Sequence, residues 1–246
     1  MNRALCFVFV LAQVAVLGQQ RNFVACPIVR DTKTVPCFLA EYEGELYYLG
    51  IQQDIVAAFH PPQLKHEVLV EGRVKPGPRV CGGIPLEPLT ISVVKELNQG
   101  CNTLLPAEPG IDAPPALRGA GPSTGRLNTA PAKETLSGRQ EFTIPYAFND
   151  DYVAFSPVQR VQQAATYAKQ TGAGPRVFGY RAVTVLSNGT RLVEKSGLAE
   201  KRAKDIAKLL TGLGLTNISV DWKEEPEPGD GQSDAAQRRV TILVAP

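Results

Sequence analysis

Cys26, Cys37, Cys81 and Cys101 are the side chains whose type and number say most about the available chemistry. Cys6 stands apart, inside an apolar N-terminal stretch. The remaining four are an even set, and in an oxidising compartment an even set pairs into disulfides. Three connectivities exist, and the local one, Cys26–Cys37 with Cys81–Cys101, is the expected one. Each such loop would contribute about 3 kcal/mol by restricting the unfolded chain. No Cys-x-x-Cys occurs, and His60 and His66 lie far from the cysteines in sequence, so no metal site is expected. With the thiols paired, no thiol nucleophile remains. No Gly-x-Ser-x-Gly surrounds a serine. Gly172-Ala173-Gly174-Pro175 lacks phosphate-loop spacing, and proline removes a donor amide. The chain is expected to be non-enzymatic and to use no cofactor.

Arginines are the second group able to do chemistry. Arg202 lies four residues after Leu198 and four before Ile206, on the inner stripe of a helix. An arginine there can grip a ligand anion. It can equally pair with a neighbouring acid, or cover apolar surface with its stem. Arg238 and Arg239 precede a final strand, where at least one should be solvated. Glu224, Glu225, Glu227 and Asp230, with Pro226 and Pro228, read as an exposed acidic turn without EF-hand spacing. The 26 basic residues are matched by 24 acids and form no long block, which gives nucleic-acid binding no support.

The elements that must position these groups fall into four stretches. Residues 1–18 read as a signal peptide: Arg3 is the positive end, Ala4 to Leu17 is almost wholly apolar, and Val16 and Gly18 are small enough for a cleavage site. An uncleaved anchor is disfavoured by length, since a span needs about 20 apolar residues. A lipoprotein acylated at Cys26 is a third reading. No transmembrane span is expected in the mature chain.

Residues 19–104 read as a disulfide-braced β-domain. Phe38 to Tyr42 and Leu46 to Leu49 flank a hairpin turn at Glu43-Gly44-Glu45. Glu67 to Val74 is another strand, with a bend expected at Gly72. Leu89 to Val94 is a further one. This order resembles a small OB-like barrel. Tyr42, Tyr47 and Tyr48 could form a stacking platform, but cross-strand packing is the usual role of strand tyrosines. Residues 105–140 are a Pro/Gly/Ala-rich linker with no apolar period, expected to be semi-extended and able to hold two domains apart.

Residues 141–246 alternate strands and helices, the pattern of helices packed on one sheet face. Phe142, Ile144, Tyr146 and Phe148 share a strand face, and Pro145 argues for an edge or an early end. Ser156-Pro157-Val158-Gln159 should cap and start a helix whose apolar face is Val158, Val161, Ala165 and Ala168. A second strand begins at Val177-Phe178-Gly179-Tyr180. Asn188-Gly189, flanked by Val, Thr and Leu, signals a protruding hairpin. A second helix runs from Leu198 to Leu213 and stops at Gly214. Ile218, Val220 and Trp222 form one further strand, and Val240, Ile242 and Val244 another. The fold class is α+β overall: an OB-like barrel followed by a βαβαβ(β) two-layer sandwich.

This last region resembles the OmpA-like C-terminal domain, a peptidoglycan-associating module. Phe142 to Phe148 matches the opening strand, Leu198-Ala199-Glu200-Lys201-Arg202-Ala203 resembles Leu-Ser-x-x-Arg-Ala, and Gln237-Arg238-Arg239-Val240 resembles Asn-Arg-Arg-Val. The resemblance implies that an aspartate and the helix arginine hold the diaminopimelate of a stem peptide. The acid pairs with its ammonium, and the arginine fork binds its carboxylate bidentately. The arginine role falls to Arg202, with Arg238 as a further ligand contact. The family's Gly-x-x-Asp stands here as Gly179-Tyr180-Arg181-Ala182, so the acid is absent. The family's asparagine three residues before the helix leucine is Lys195. Glu194, on the far arm of the hairpin, is the candidate to return an acid to the site.

The resemblance implies an exported envelope protein of the periplasm of a Gram-negative bacterium. Its partners would be peptidoglycan, bound through a degenerate site, and envelope or outer-membrane proteins. The alternative is an outer-membrane-associated scaffold that has lost wall binding. An OB-like binder of oligosaccharide or nucleic acid is a third, distant reading.

Overall fold

The computed structural model describes residues 18–52, 61–115 and 138–246. The signal-peptide reading of 1–18 lies outside them except for Gly18, as does most of the expected linker.

Among the described residues the N-terminal region contains seven strands: β1 (Gln20–Ala25), β2 (Pro27–Arg30), β3 (Cys37–Tyr42), β4 (Glu45–Ile51), β5 (His66–Val74), β6 (Ile84–Leu97) and β7 (Thr103–Leu105). Their hydrogen-bonded order is β1-β5-β6-β4-β3-β2-β7. The expected hairpin is β3–β4, turning through Glu43 and Gly44, both at positive φ. The ladder between β5 and β6 shifts register after Gly72, where a bend is expected.

The barrel expectation is corrected. Among the described residues the order runs open from β1 to β7, with no pairing that closes it. The fourteen-residue β6 explains the shape: it pairs antiparallel with β5 and parallel with β4, joining two halves of the sheet. Phe23, Tyr47, Val68, Val70 and Ile91 form the core between those halves. The tyrosines serve packing. Phe23 stacks on Tyr42 with ring centroids 4.7 Å apart, Tyr47 is buried, and Tyr48 packs beside Ile28 and Leu39.

The disulfide pairing is also corrected. The bonds are Cys26–Cys101 and Cys37–Cys81. The register of the sheet decides this. β2 lies between β3 and β7, so the residue before β2 meets the chain entering β7. Sequence proximity is irrelevant once those strands pair.

The C-terminal region contains β8 (Gln140–Pro145), α1 (Phe155–Thr171), β9 (Arg176–Val185), β10 (Arg191–Val193), α2 (Leu198–Gly212), β11 (Ser219–Glu227), α3 (Asp234–Gln237) and β12 (Arg239–Val244). β9 is the hub: it pairs with β12, β10 and, in parallel, β11, while β8 forms an edge beyond β12. Pro145 ends β8 at that edge, where its missing N–H costs no ladder bond. Ile144, Val177, Val240 and Ile242 point to one face and meet Val161, Ala164 and Ala168 of α1 and Ala203, Ile206 and Leu210 of α2. Gly179 lets α2 approach β9: a Cβ there would lie 2.1 Å from the Ala199 carbonyl oxygen. The expected capping box is corrected: α1 starts at Phe155 with Ala154 as N-cap and no side-chain cap bond.

The two regions are docked on each other. The hairpin of β9 and β10 does not protrude freely. Asn22 of β1 donates from Nδ2 to the carbonyls of Val185 and Gly231 at 3.0 and 2.9 Å. Its backbone exchanges bonds with Ser187 in the hairpin turn. The amide of Phe148 donates to Ser92 Oγ at 2.8 Å, and Lys95 lies 3.0 Å from the Asp150 carboxylate.

Candidate functional site

Arg202 and Glu194 meet at the top of β9, in the position sequence reasoning singled out. α2 supplies the arginine, because Leu198, Ala199, Ala203 and Ile206 on the same stripe are drawn into the core. The hairpin returns Glu194 one residue past β10, opposite Ala182. Both side chains are 0% exposed.

The pair is bidentate. Nη2 of Arg202 donates to Oε1 of Glu194 at 2.6 Å, and Nη1 to Oε2 at 3.0 Å. Nη2 also donates to the Ala147 carbonyl, Nη1 to that of Tyr180, and Nε to that of Asp150. A guanidinium has five N–H donors, and these five bonds use them all. The carboxylate is equally complete. Oε1 accepts from the Asn149 amide at 3.0 Å and Oε2 from the Ala182 amide at 2.9 Å. A buried ion pair persists only with its remaining lone pairs and protons satisfied, and here they are. Tyr146 forms the floor, its ring centroid 4.7 Å from the guanidinium carbon. Burial pushes the Tyr146 hydroxyl pKa up, with the nearby Arg202 charge acting against it. Among the described residues that hydroxyl has no hydrogen-bond partner.

Ala182, standing where the resemblance expects an aspartate, contributes its amide and no charge. Arg181 is held by backbone carbonyls. Its Nε donates to the Glu224 carbonyl and its Nη1 to the backbone carbonyl of Glu194. Lys195 reaches Glu96 of β6 at 3.1 Å.

Arg238 lies elsewhere. It follows α3, is fully buried, and grips Glu71 of β5 through Nη1 at 3.0 Å and Nη2 at 2.5 Å. Nη1 also donates to Thr184 Oγ1 at 2.8 Å, and Phe148 lies below with its centroid at 5.9 Å. This pair crosses between the two regions. Arg239 turns to the opposite sheet face and lies 4.2 Å from the Tyr180 ring centroid. A cleft of about 350 Å³ borders the docked pair, lined in part by Asn22, Glu71, Arg73, Gln232 and Asp234.

Sequence reasoning missed Glu71, Asn149 and the carbonyls of Ala147 and Asp150. A signal existed for the first. Val68, Leu69 and Val70 are apolar on both faces of one strand, which marks a strand covered on both sides. An acid in that run needs a buried cation. The backbone partners had no such signal.

Among the described residues no cluster of three His, Cys, Asp or Glu side chains could hold a metal ion. No described helix is long and apolar enough to cross a membrane.

No family model and no curated protein matches the chain. Solved structures do. The OmpA-like domain of FopA1 from Francisella tularensis SCHU S4 is 20% identical, with a TM-score of 0.34 over 44% of this chain and 73% of that one. An outer membrane protein from Borrelia burgdorferi B31 is 18% identical, with a TM-score of 0.32 over 44% of this chain and 88% of that one. The periplasmic domain of Helicobacter pylori MotB is 17% identical, with a TM-score of 0.33 over 45% of this chain and 78% of that one. The matches cover less than half of the chain, and the roles of its residues rest on the geometry above.

Proposed function

We propose that this chain is a non-enzymatic protein of the cell envelope whose C-terminal domain is OmpA-like and whose stem-peptide clamp is filled from within. In this reading Glu194 stands where a ligand carboxylate would sit, and the domain works as a docking scaffold for envelope or outer-membrane proteins. One observation carries it: the Arg202 fork is taken up by Glu194, with both side chains at 0% exposure. An external carboxylate would have to expel a hydrogen-bonded acid from a buried site. It would meet no acid at Ala182 to hold its ammonium. Two disulfides support export to an oxidising compartment such as the periplasm.

The test is sedimentation of the full chain with purified sacculi at low salt. The expected result is protein in the supernatant. Pelleting that Arg202→Ala abolishes would return the domain to wall binding and overturn the scaffold reading.

A further inference from the structure

The segments that close the Arg202–Glu194 site are also those the N-terminal sheet holds. Residues 147–150 supply two carbonyls to Arg202 and the Asn149 amide to Glu194. The same loop is bound by Ser92 through the Phe148 amide, and by Lys95 through Asp150. The hairpin that delivers Glu194 is bound at its turn by Asn22. Lys195, next to Glu194, donates its amide to Asn149 Oδ1 and its ammonium to Glu96. Loop, hairpin and the residue after the plug are each gripped from β1 or β6. α2, which carries Arg202, packs into the C-terminal core through Ala203, Ile206 and Leu210.

We infer that docking of the N-terminal sheet is the latch that keeps Glu194 in the arginine site, so that undocking opens the site to an external carboxylate. The inference rests on reading Arg202 as a site filled by Glu194. The coupling runs both ways: a carboxylate that displaced Glu194 would loosen docking by the same factor. A partner competing for β1 or β6 would then control whether the clamp is available.

The test is amide hydrogen exchange in the full chain with no ligand added, read across the site. Asn22→Ala weakens the hairpin side and is read at the Asn149 amide. Ser92→Ala weakens the loop side and is read at the Ala182 amide. Both amides are protected by the same carboxylate. Each variant should speed the far amide roughly tenfold, about the worth of the bonds removed, with the Ile242 amide of β12 unchanged. Acceleration confined to the near side, or none, overturns the latch. A uniform rise that includes Ile242 overturns it too, because that is global unfolding. Sacculus binding by the wild type would count against the proposed function and leave these rates where they are.

Discussion

Two arginines each hold a glutamate in a buried fork, and they do different jobs. Arg202 and Glu194 are eight residues apart and lie on the C-terminal sheet and its helix, whereas Arg238 and Glu71 are 167 apart and join the two sheets. The first pair has every donor and acceptor spoken for, largely by backbone groups of its own domain. The second leans on Thr184 and on the sheet it docks against. A buried pair is seldom a net gain over apolar residues, but losing one partner strands a charge. The same chemistry therefore ties α2 to the β9–β10 hairpin in one place and the two sheets to each other in the other.

The largest effect bears on the region that receives Arg238. Cys26–Cys101 and Cys37–Cys81 close loops with sequence separations of 75 and 44. Loops of that length are worth about 4 kcal/mol each, against about 3 for the local pairing. Reduction should unfold the N-terminal sheet first, seen as lost β-signal in circular dichroism while α1 and α2 keep their helical signal. Simultaneous loss of both would mean the domains do not fold separately.

Breaking the pairs comes next. Arg202→Ala should cost the C-terminal domain about 3–5 kcal/mol, read as a lower urea midpoint. Arg238→Ala should cost a similar amount but spend it on docking. Two unfolding transitions should replace one, with the C-terminal midpoint lowered by less than in Arg202→Ala. If Arg238→Ala lowers that midpoint as Arg202→Ala does, the distinction between the pairs fails.

Gly179→Ala probes the packing beneath Arg202. Its methyl would drive into the Ala199 carbonyl and push α2 off β9, at about 1–3 kcal/mol for overpacking. Thermal melts should show the loss, and fluorescence of Trp222 on the neighbouring β11 should report the shift.

Acid gives the smallest effect. The hydrogen bond from Lys195 holds the Glu96 carboxyl below its ordinary 4.5. A lowered carboxylate contributes stability above its ordinary value and loses it as pH falls through the lowered one. Docking should therefore weaken slightly on acidification below that range, and Glu96→Gln should remove this part of the dependence. Small-angle scattering across the titration would show it.

Much of the fold was legible in local pattern. The β3–β4 hairpin, the turn at Asn188-Gly189, α2 and the alternation in β12 all follow from short-range signals that tertiary contacts reinforce. The N-cap of α1 was not. Ser156-Pro157 has capping chemistry, but the chain enters the helix two residues earlier, with Ala154 as N-cap. In the site, Arg202 was legible from its helix stripe and Glu194 from its place on the hairpin. Their full burial was not, because it depends on carbonyls and amides of residues 147–150 and 180–182, which carry no side-chain signature.

Spacing and residue type by themselves determined β3 to β6, α1, α2 and the strands of the C-terminal sheet, but not β1, β2, β7 or α3, and they determined that the four cysteines pair and that Arg202 faces inward. They work at short range, where propensity, turn chemistry and periodicity are encoded in neighbouring residues. Only the tertiary structure decided which cysteines meet, that Glu71 receives Arg238, and that Arg202 is fully paired with Glu194. Those are contacts between segments far apart in the chain, set by sheet register and domain docking, and no local pattern distinguishes one distant partner from another.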